Sequence, residues 1–378
     1  MNQYRTIMSI AIDSKILREG FNKVITIIDK RNSRPILTNS LIQINQNSIE
    51  LIATDLEVSA KIVLEADSQE ETTFCINTKN ISDILRELPD DQLQLSIDQE
   101  KNLLNLSCGS INYSLLISPS EDFPKINFSN SNKVIQLRSN YLLNIINKIS
   151  HAISTDETRI NLNGIYLQQL ENKLRTVAID GHRLALFDII DFESDNQTLI
   201  DGFIIPKKGV FELKKLAEAN LDQDLDIYLD ESFIHVISDK KNYLSVRLIA
   251  REYPKYQTVI PNKTTYTLTV EREAILNAVK RIKLLSNEKT NGVKVNLQSG
   301  EMTISADHPS LGYAIEKVPV SYDGVEMEIG FNAKYLLDTL NILSVNEITY
   351  ELNNELSPVI VRSSEEENFL GIIMPLKI

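Results

Sequence analysis

The chain has 378 residues, too many for one ordinary core, and an apolar fraction of 42%, enough to fill two or three. Its two cysteines, Cys75 and Cys108, exclude a disulfide framework, and no stretch approaches the roughly 18 apolar residues that cross a bilayer, so a cytoplasmic protein with no membrane partner is expected. A formal charge of -13 argues against nucleic acid as a partner unless the basic residues are gathered on one face.

The first predicted element lies in "IAIDSKILREGFNKV", residues 10–24. Ile10 and Ile12 alternate with polar residues as in a half-buried strand, and the spacing then becomes helical, with Leu17, Phe21 and Val24 on one stripe. Ser14 stands where an N-cap is wanted. Further on, "INTKNISDIL" from Ile76 predicts strand, polar turn and a second helix, and the first third closes at "EDFPKI". The second third repeats the plan: "IQLRSNYLLNIINKI" at 135–149, with Ser139 at the cap and Leu142, Ile146 and Ile149 on the stripe, then "IPKKGVFELK" from Ile205, then "REYPKY". In the last third "LTVEREAILNAVKRI" at 268–282 puts Ile275, Val279 and Ile282 on the stripe, although Arg272 does not suit a cap; "FNAKYLLDTL" from Phe331 follows, and the chain stops at "IIMPLKI".

The two units recur in the same order at steps of 125 and 133, then 129 and 126 residues, which makes coincidence a poor account of them. Asp83, Glu212 and Asp338 fall at one equivalent position. The chain therefore reads as three homologous α+β domains, at 1–129, 130–256 and 257–378. The six helical segments, taken as 14–30, 78–88, 139–150, 207–217, 271–284 and 333–343, carry a net +8 and the remainder -21. Glu favours helices nearly as well as Lys and Arg, so propensity alone does not explain the contrast. A basic surface of helices with no aromatic platform would touch phosphates without reading bases.

Motifs for chemistry are missing: there is no phosphate loop, no Gly-x-Gly-x-x-Gly turn, no His-Glu-x-x-His and no Gly-x-Ser-x-Gly. His151, His182, His235 and His308 lack metal-ligand spacing, so no metal and no cofactor is expected. The unusual stretch is "TVAIDGHRLALF", Thr176 to Phe187, where Asp180, Gly181, His182 and Arg183 interrupt an apolar run. It reads as a hairpin with an Asp-Gly turn, with a docking surface at its edge as a second reading. A hydrolase using His182 with Ser154 or Ser245 as nucleophile is the third, and a repeat scaffold that binds only proteins is a further alternative.

Over its whole length the sequence resembles the bacterial sliding-clamp family, the beta subunits of DNA polymerase III. The similarity is most specific in "LRTVAIDGHRLAL", "LLSNEKTNGVKV", "GVEMEIGFNAKYLLDTLNIL" and the terminal "MPL". The resemblance implies three clamp domains per chain and a head-to-tail homodimer closing into a ring, helices inside and sheets outside. It implies a non-catalytic processivity factor that encircles double-stranded DNA without sequence preference. Polymerase, clamp loader and repair proteins would bind through short linear peptides.

Carried over to matching positions, the peptide pocket would use Leu162, Gly181, His182, Arg183, Leu184, Pro254, Val259, Tyr335, Ile373, Met374, Pro375 and Leu376. Ile179 and Thr258 depart from residues frequent in relatives, a threonine and a long basic residue, and would shift peptide preference. DNA would meet Arg31, Lys15, Arg138, Lys148, Lys207, Lys208, Lys280 and Arg281, while Ile160 and Asn161 replace aromatics that some relatives carry. The ring would close where Tyr113 and Leu115 meet Leu284 and Leu285 of a second copy. Without the resemblance, "IIMPLKI" reads as an ordinary final strand stopped by Pro375.

Overall fold

Each predicted helix forms where an apolar stripe follows a strand. In the computed structural model, which describes residues 10–29, 32–68, 71–128 and 133–377, the helices are α1 (Ser14–Val24), α2 (Thr78–Glu87), α3 (Ser139–Ile149), a short α4 (Gln197–Asp201), α5 (Lys207–Ala219), α6 (Arg272–Lys283) and α7 (Ala333–Ile342). Two stripes are buried as the spacing requires, Leu17, Phe21 and Val24 of α1 and Ile275, Val279 and Ile282 of α6 each being at most 3% exposed, whereas in α3 Ile146 and Ile149 are buried and Leu142 is half-buried. Each such side chain contributes about 1.5–3 kcal/mol on burial. The first helix stops at Val24, short of the predicted residue 30, because the β-branched run Ile25-Thr26-Ile27 continues it poorly and closes in a turn, Ile27 N–H donating to Val24 O at 3.1 Å. Its cap is also one residue earlier than expected. Asp13, not Ser14, accepts from the Lys15 amide at 2.7 Å, while Ser14 Oγ bonds to Pro89 O and the Asp91 amide, tying the helix start to the loop after α2.

The chain divides into two units, one formed by the residues up to Leu142 with Phe211–Leu248, the other by Leu143–Val210 with the residues from Ile249 on. These units cut across the middle third because neighbouring thirds share backbone ladders. In the first unit a twelve-stranded antiparallel sheet is continuous through the pairing of Val58–Glu65 with Asn242–Arg247, in the register Ala60↔Leu244. An eight-stranded sheet in the second unit is joined in the same way by Arg183–Ile190 and Phe369–Ile373, with Leu184↔Ile372 and Arg183↔Ile373 opposite one another. A four-stranded sheet, in the order Gly312–Pro319, Glu301–His308, Gly292–Gln298, Met327–Asn332, completes the second unit. Cys75 and Cys108 are buried free thiols, and burial pushes Cys75 up to about 11. Among the described residues no helix is long and apolar enough to cross a membrane.

Candidate functional site

The Asp-Gly hairpin is one of three such aspartate turns among the described residues. Asp180 Oδ1 accepts from the His182 and Arg183 amides at 2.8 and 3.0 Å; Asp55 does the same for Glu57 and Val58 at 2.9 and 2.7 Å, and Asp230 for Ser232 and Phe233, both at 2.8 Å. A short carboxylate holding two successive amides fixes the bend locally. Gly181 has φ +94°, a left-handed backbone, and the Arg159 guanidinium lies across it, with Nη1 2.6 Å from where a Cβ would sit. The left-handed backbone favours glycine here, and the flexible end of Arg159 occupies the space its missing side chain leaves.

What distinguishes this turn is Arg183. Its side chain is 8% exposed and is neutralised by Asp180 (Nε–Oδ2 3.0 Å) and by Asp338 of α7 (Nη1–Oδ2 2.6 Å), with the guanidinium 4.5 Å above the Tyr335 ring. The His182 ring stacks on Tyr335 at 6.1 Å, and its carbonyl accepts the Met374 amide at 2.9 Å. Leu376 N–H then donates to Gly330 O at 2.8 Å, so the terminal segment is pinned at both ends, with Met374, Pro375 and Leu376 half-buried. Burial, then the nearby Asp180 charge, raises the Tyr335 phenol, which stays protonated at neutral pH. His151, behind this cluster, is pushed down to about 4, first by burial and then by the Arg183 cation.

The other face of the same ladder is apolar. Leu162, Leu184, Ile372, Ile360 and Tyr253 form one buried cluster, with Val259 and Ile179 packed half-exposed at its rim. Adjacent residues of a strand point to opposite faces. The register therefore puts Leu184 with Ile372 on this side, and Arg183 with Ile373 on the side of Asp338 and α7. Ile373, 1% exposed, is thus corrected as a pocket residue: its neighbour Ile372, which the sequence reading missed, shares the cluster of Leu184. Pro254 is exposed and its carbonyl accepts the Tyr256 amide at 2.7 Å, starting the short helix that carries Thr258 and Val259. Asn161 Nδ2 donates to Glu252 O at 3.3 Å, and Ile160 beside it is 51% exposed.

The catalytic reading of His182 fails on geometry. Asp180 spends its carboxylate on the turn and on Arg183, and Ser154 is 2% exposed with its hydroxyl accepting the Asp156 amide. Among the basic residues, Lys15, Arg138, Lys207 and Lys280 are exposed and Lys208 is half-buried, whereas Arg281 forms a two-pronged ion pair with Glu316. Lys148 is a correction: it is 6% exposed, with Nζ bonded to Glu366 Oε2 at 2.6 Å and Ile342 O at 2.7 Å, and it cannot reach a phosphate. Arg31 lies outside the described residues. The observed helices carry fifteen basic against eight acidic residues, so a contrast of +7 remains within their redrawn bounds.

Two strand edges carry exposed apolar side chains. In the first unit, Ile111–Ser118 pairs along its length with Leu103–Cys108 but with Thr72–Asn77 only at Ile117 and Ser118. Tyr113 is 36% exposed there and Leu116 78%, while the predicted Leu115 is half-buried. In the second unit, Gly312–Pro319 ends its sheet and bears Tyr313 at 76% and Ile315 at 59%; Leu284, just after α6, is 79% exposed and Leu285 half-buried. Leu116, Tyr313 and Ile315 went unseen in the sequence because alternation does not tell where along a strand the neighbouring strand stops or which strand ends a sheet.

The sequence matches three successive family models: DNA polymerase III beta subunit N-terminal domain over residues 8–127, central domain over 136–255 and C-terminal domain over 257–377. It is 31% identical over 375 residues to the beta sliding clamp of Haemophilus influenzae and 30% identical over 378 residues to that of Caulobacter vibrioides, covering 98% of this chain and 100% of each relative. Among solved structures, a Bartonella birtlesii sliding clamp bound to griselimycin superposes with a TM-score of 0.93 at 30% identity, covering 98% of this chain and all of that one. A Caulobacter crescentus beta sliding clamp superposes at 0.94 with 29% identity, covering 99% and 100%.

Proposed function

This chain belongs to the DNA polymerase III beta subunit family, and from that premise we infer how its residues serve a DNA sliding clamp. It is a non-catalytic accessory subunit, a processivity factor that encircles duplex DNA and tethers the polymerase. Retention comes from topology, because ion pairs strong enough to hold DNA would have to break at every step of sliding. The tethered polymerase stays near the primer end at high effective concentration. We take the three domains to be 1–129, 130–256 and 257–378, a reading supported by the family matches at 8–127, 136–255 and 257–377. The work of such a protein places it in the cytoplasm, with the chromosome.

For the partner-peptide site we propose an apolar floor of Leu162, Leu184 and Ile372, rimmed by Val259, Ile179 and Pro254. A second lobe is formed by Gly181, His182, Tyr335, Met374, Pro375 and Leu376, and Arg183 supports it from beneath. Met374 suits a groove that takes varied side chains. For ring closure, the two open strand edges pair between two copies head to tail, Tyr113 and Leu116 covering Tyr313, Ile315, Leu284 and Leu285. Pairing would cover backbone edges that otherwise invite aggregation. Lys15, Arg138, Lys207, Lys208 and Lys280 are the proposed phosphate contacts.

The observation that carries the clamp reading is that all three successive family domains match in order along one chain. It is tested by loading the protein with its clamp loader onto nicked circular DNA, isolating the complex and cutting half with a restriction enzyme. Loss from linear but not from circular DNA is expected. Equal retention on both would mean direct binding and would sink the ring.

A further inference from the structure

We propose that Phe211 on α5, with Lys214, is a contact for single-stranded DNA, the ring stacking on an unpaired base while the lysine meets a neighbouring phosphate; this rests on the sliding-clamp reading above. The amphipathic pattern of α5 buries Val210, Leu213 and Ala217 to 3% exposure or less, yet leaves Phe211 57% exposed. Among the described residues it is the one phenylalanine with so open a side chain. The helix reading that found no aromatic platform missed it, because a lone Phe among lysines has the composition of an ordinary helix.

The ring is oriented by its neighbours. Lys215 Nζ sits 4.3 Å from the ring centroid and is held by Glu212 Oε1 at 3.1 Å; Glu212, 5% exposed, is fixed in turn by Thr26 Oγ1 at 3.0 Å. A pinned ammonium thus backs one side of an aromatic ring that is otherwise open. Among the described residues Lys214 has only a loose partner, Glu218 at 3.9 Å, and remains available to an anion. A cation beside an exposed ring matches a nucleotide, which offers a phosphate and a π face together. Duplex DNA hides its base faces unless it is kinked, whereas a single strand presents them freely. A processivity factor works where duplex gives way to unpaired template, so both forms come within its reach.

The chain contains no tryptophan, so Phe211→Trp installs a single indole reporter at the site. The full-length protein would be titrated at low salt with oligo-dT and with a hairpin duplex of equal phosphate number, following fluorescence and anisotropy. Quenching of the indole by oligo-dT is expected. Phe211→Leu, which keeps bulk but lacks a π face, should weaken oligo-dT binding on the order of tenfold. It should leave duplex affinity and the salt dependence unchanged, whereas Lys214→Ala should flatten the salt slope on oligo-dT by about 0.7. An unquenched indole, an unaffected leucine variant, or equal losses on both DNAs would each overturn the assignment. Wild-type retention on nicked circles distinguishes the two failures: if circles are held, only this inference falls, and if they are not, the clamp reading falls first.

Discussion

Replacing Arg183 by methionine tests whether the ion-paired knot beneath the terminal segment holds that segment in place. The substitution keeps an unbranched side-chain stem but removes the guanidinium, leaving Asp180 and Asp338 without their shared cation. Removing one partner of a buried pair costs about 3–5 kcal/mol. The low end applies here, because Asp180 retains its two amide donors and Asp338 is 29% exposed. The two units need not unfold together, so a single global transition is the wrong readout. Hydrogen exchange at the Met374 amide, bonded to His182 O at 2.9 Å, reads the local opening directly. A loss of about 3 kcal/mol should speed that exchange roughly a hundredfold. In a cycle with Asp338→Asn, the two substitutions should be coupled by about 1 kcal/mol or more. A rise of less than about fivefold, with additive effects, would show that the knot does not hold the tail, and the site's second lobe would lose its support.

Three further outcomes are expected. Ile372→Ala should weaken binding of a partner peptide about tenfold while Ile373→Ala, with a similar loss of core stability, leaves it unchanged; equal effects would contradict the register argument. The His151 imidazole is held neutral by burial and by Arg183, with its pKa at about 4 against 6.5 when unfolded. The unfolded chain therefore takes up the proton first, and the stability from this group is present above about pH 6.5 and falls as pH drops toward 4, by at most about 3 kcal/mol. Denaturation of His151→Gln across that window should show a shallower slope, and an unchanged slope would remove His151 from the account. Joint Leu116→Ala and Leu284→Ala should give monomers by light scattering, and an intact dimer would refute the proposed edge pairing.

The repeat, the helical stripes and the Asp180 turn were legible because each is a local signal: a period of 3.6, a period of 2, or a short carboxylate two residues before an amide. Facing was not legible. The residues at 372 and 373 are both isoleucine, so the sequence offers no contrast between them, and only the pairing Leu184↔Ile372 says which one meets the cluster. Lys148 failed for the same reason. It follows an apolar stripe on α3, and nothing within the helix says that Glu366, 218 residues on, will take its charge. Exposed Leu116 depends on its neighbouring strand pairing only at Ile117 and Ser118, and exposed Tyr313 on its strand ending a sheet, properties of topology that one strand's pattern does not contain.

The position shared by Asp83, Glu212 and Asp338 shows how one plan yields one site. Asp83 pairs on the surface with Lys79 and Arg86 at 2.9 and 3.3 Å, pairs worth well under 1 kcal/mol each. Glu212 is buried between Thr26 and Lys215, where it fixes a lysine beside Phe211. Only Asp338 reaches an arginine that begins the strand after an Asp turn, and only there does a pinned terminal segment follow. The turns at Asp55 and Asp180 share their hydrogen bonds and a left-handed second residue, Leu56 at φ 77° and Gly181 at φ 94°. The turn itself is therefore a scaffold element. Moving Arg183 to its counterpart as Val58→Arg would create no second site, because the equivalent acid, Glu212, is already engaged by Thr26 and Lys215 and strand Val58–Glu65 is paired with Asn242–Arg247 rather than with a strand leading to the pinned terminal segment.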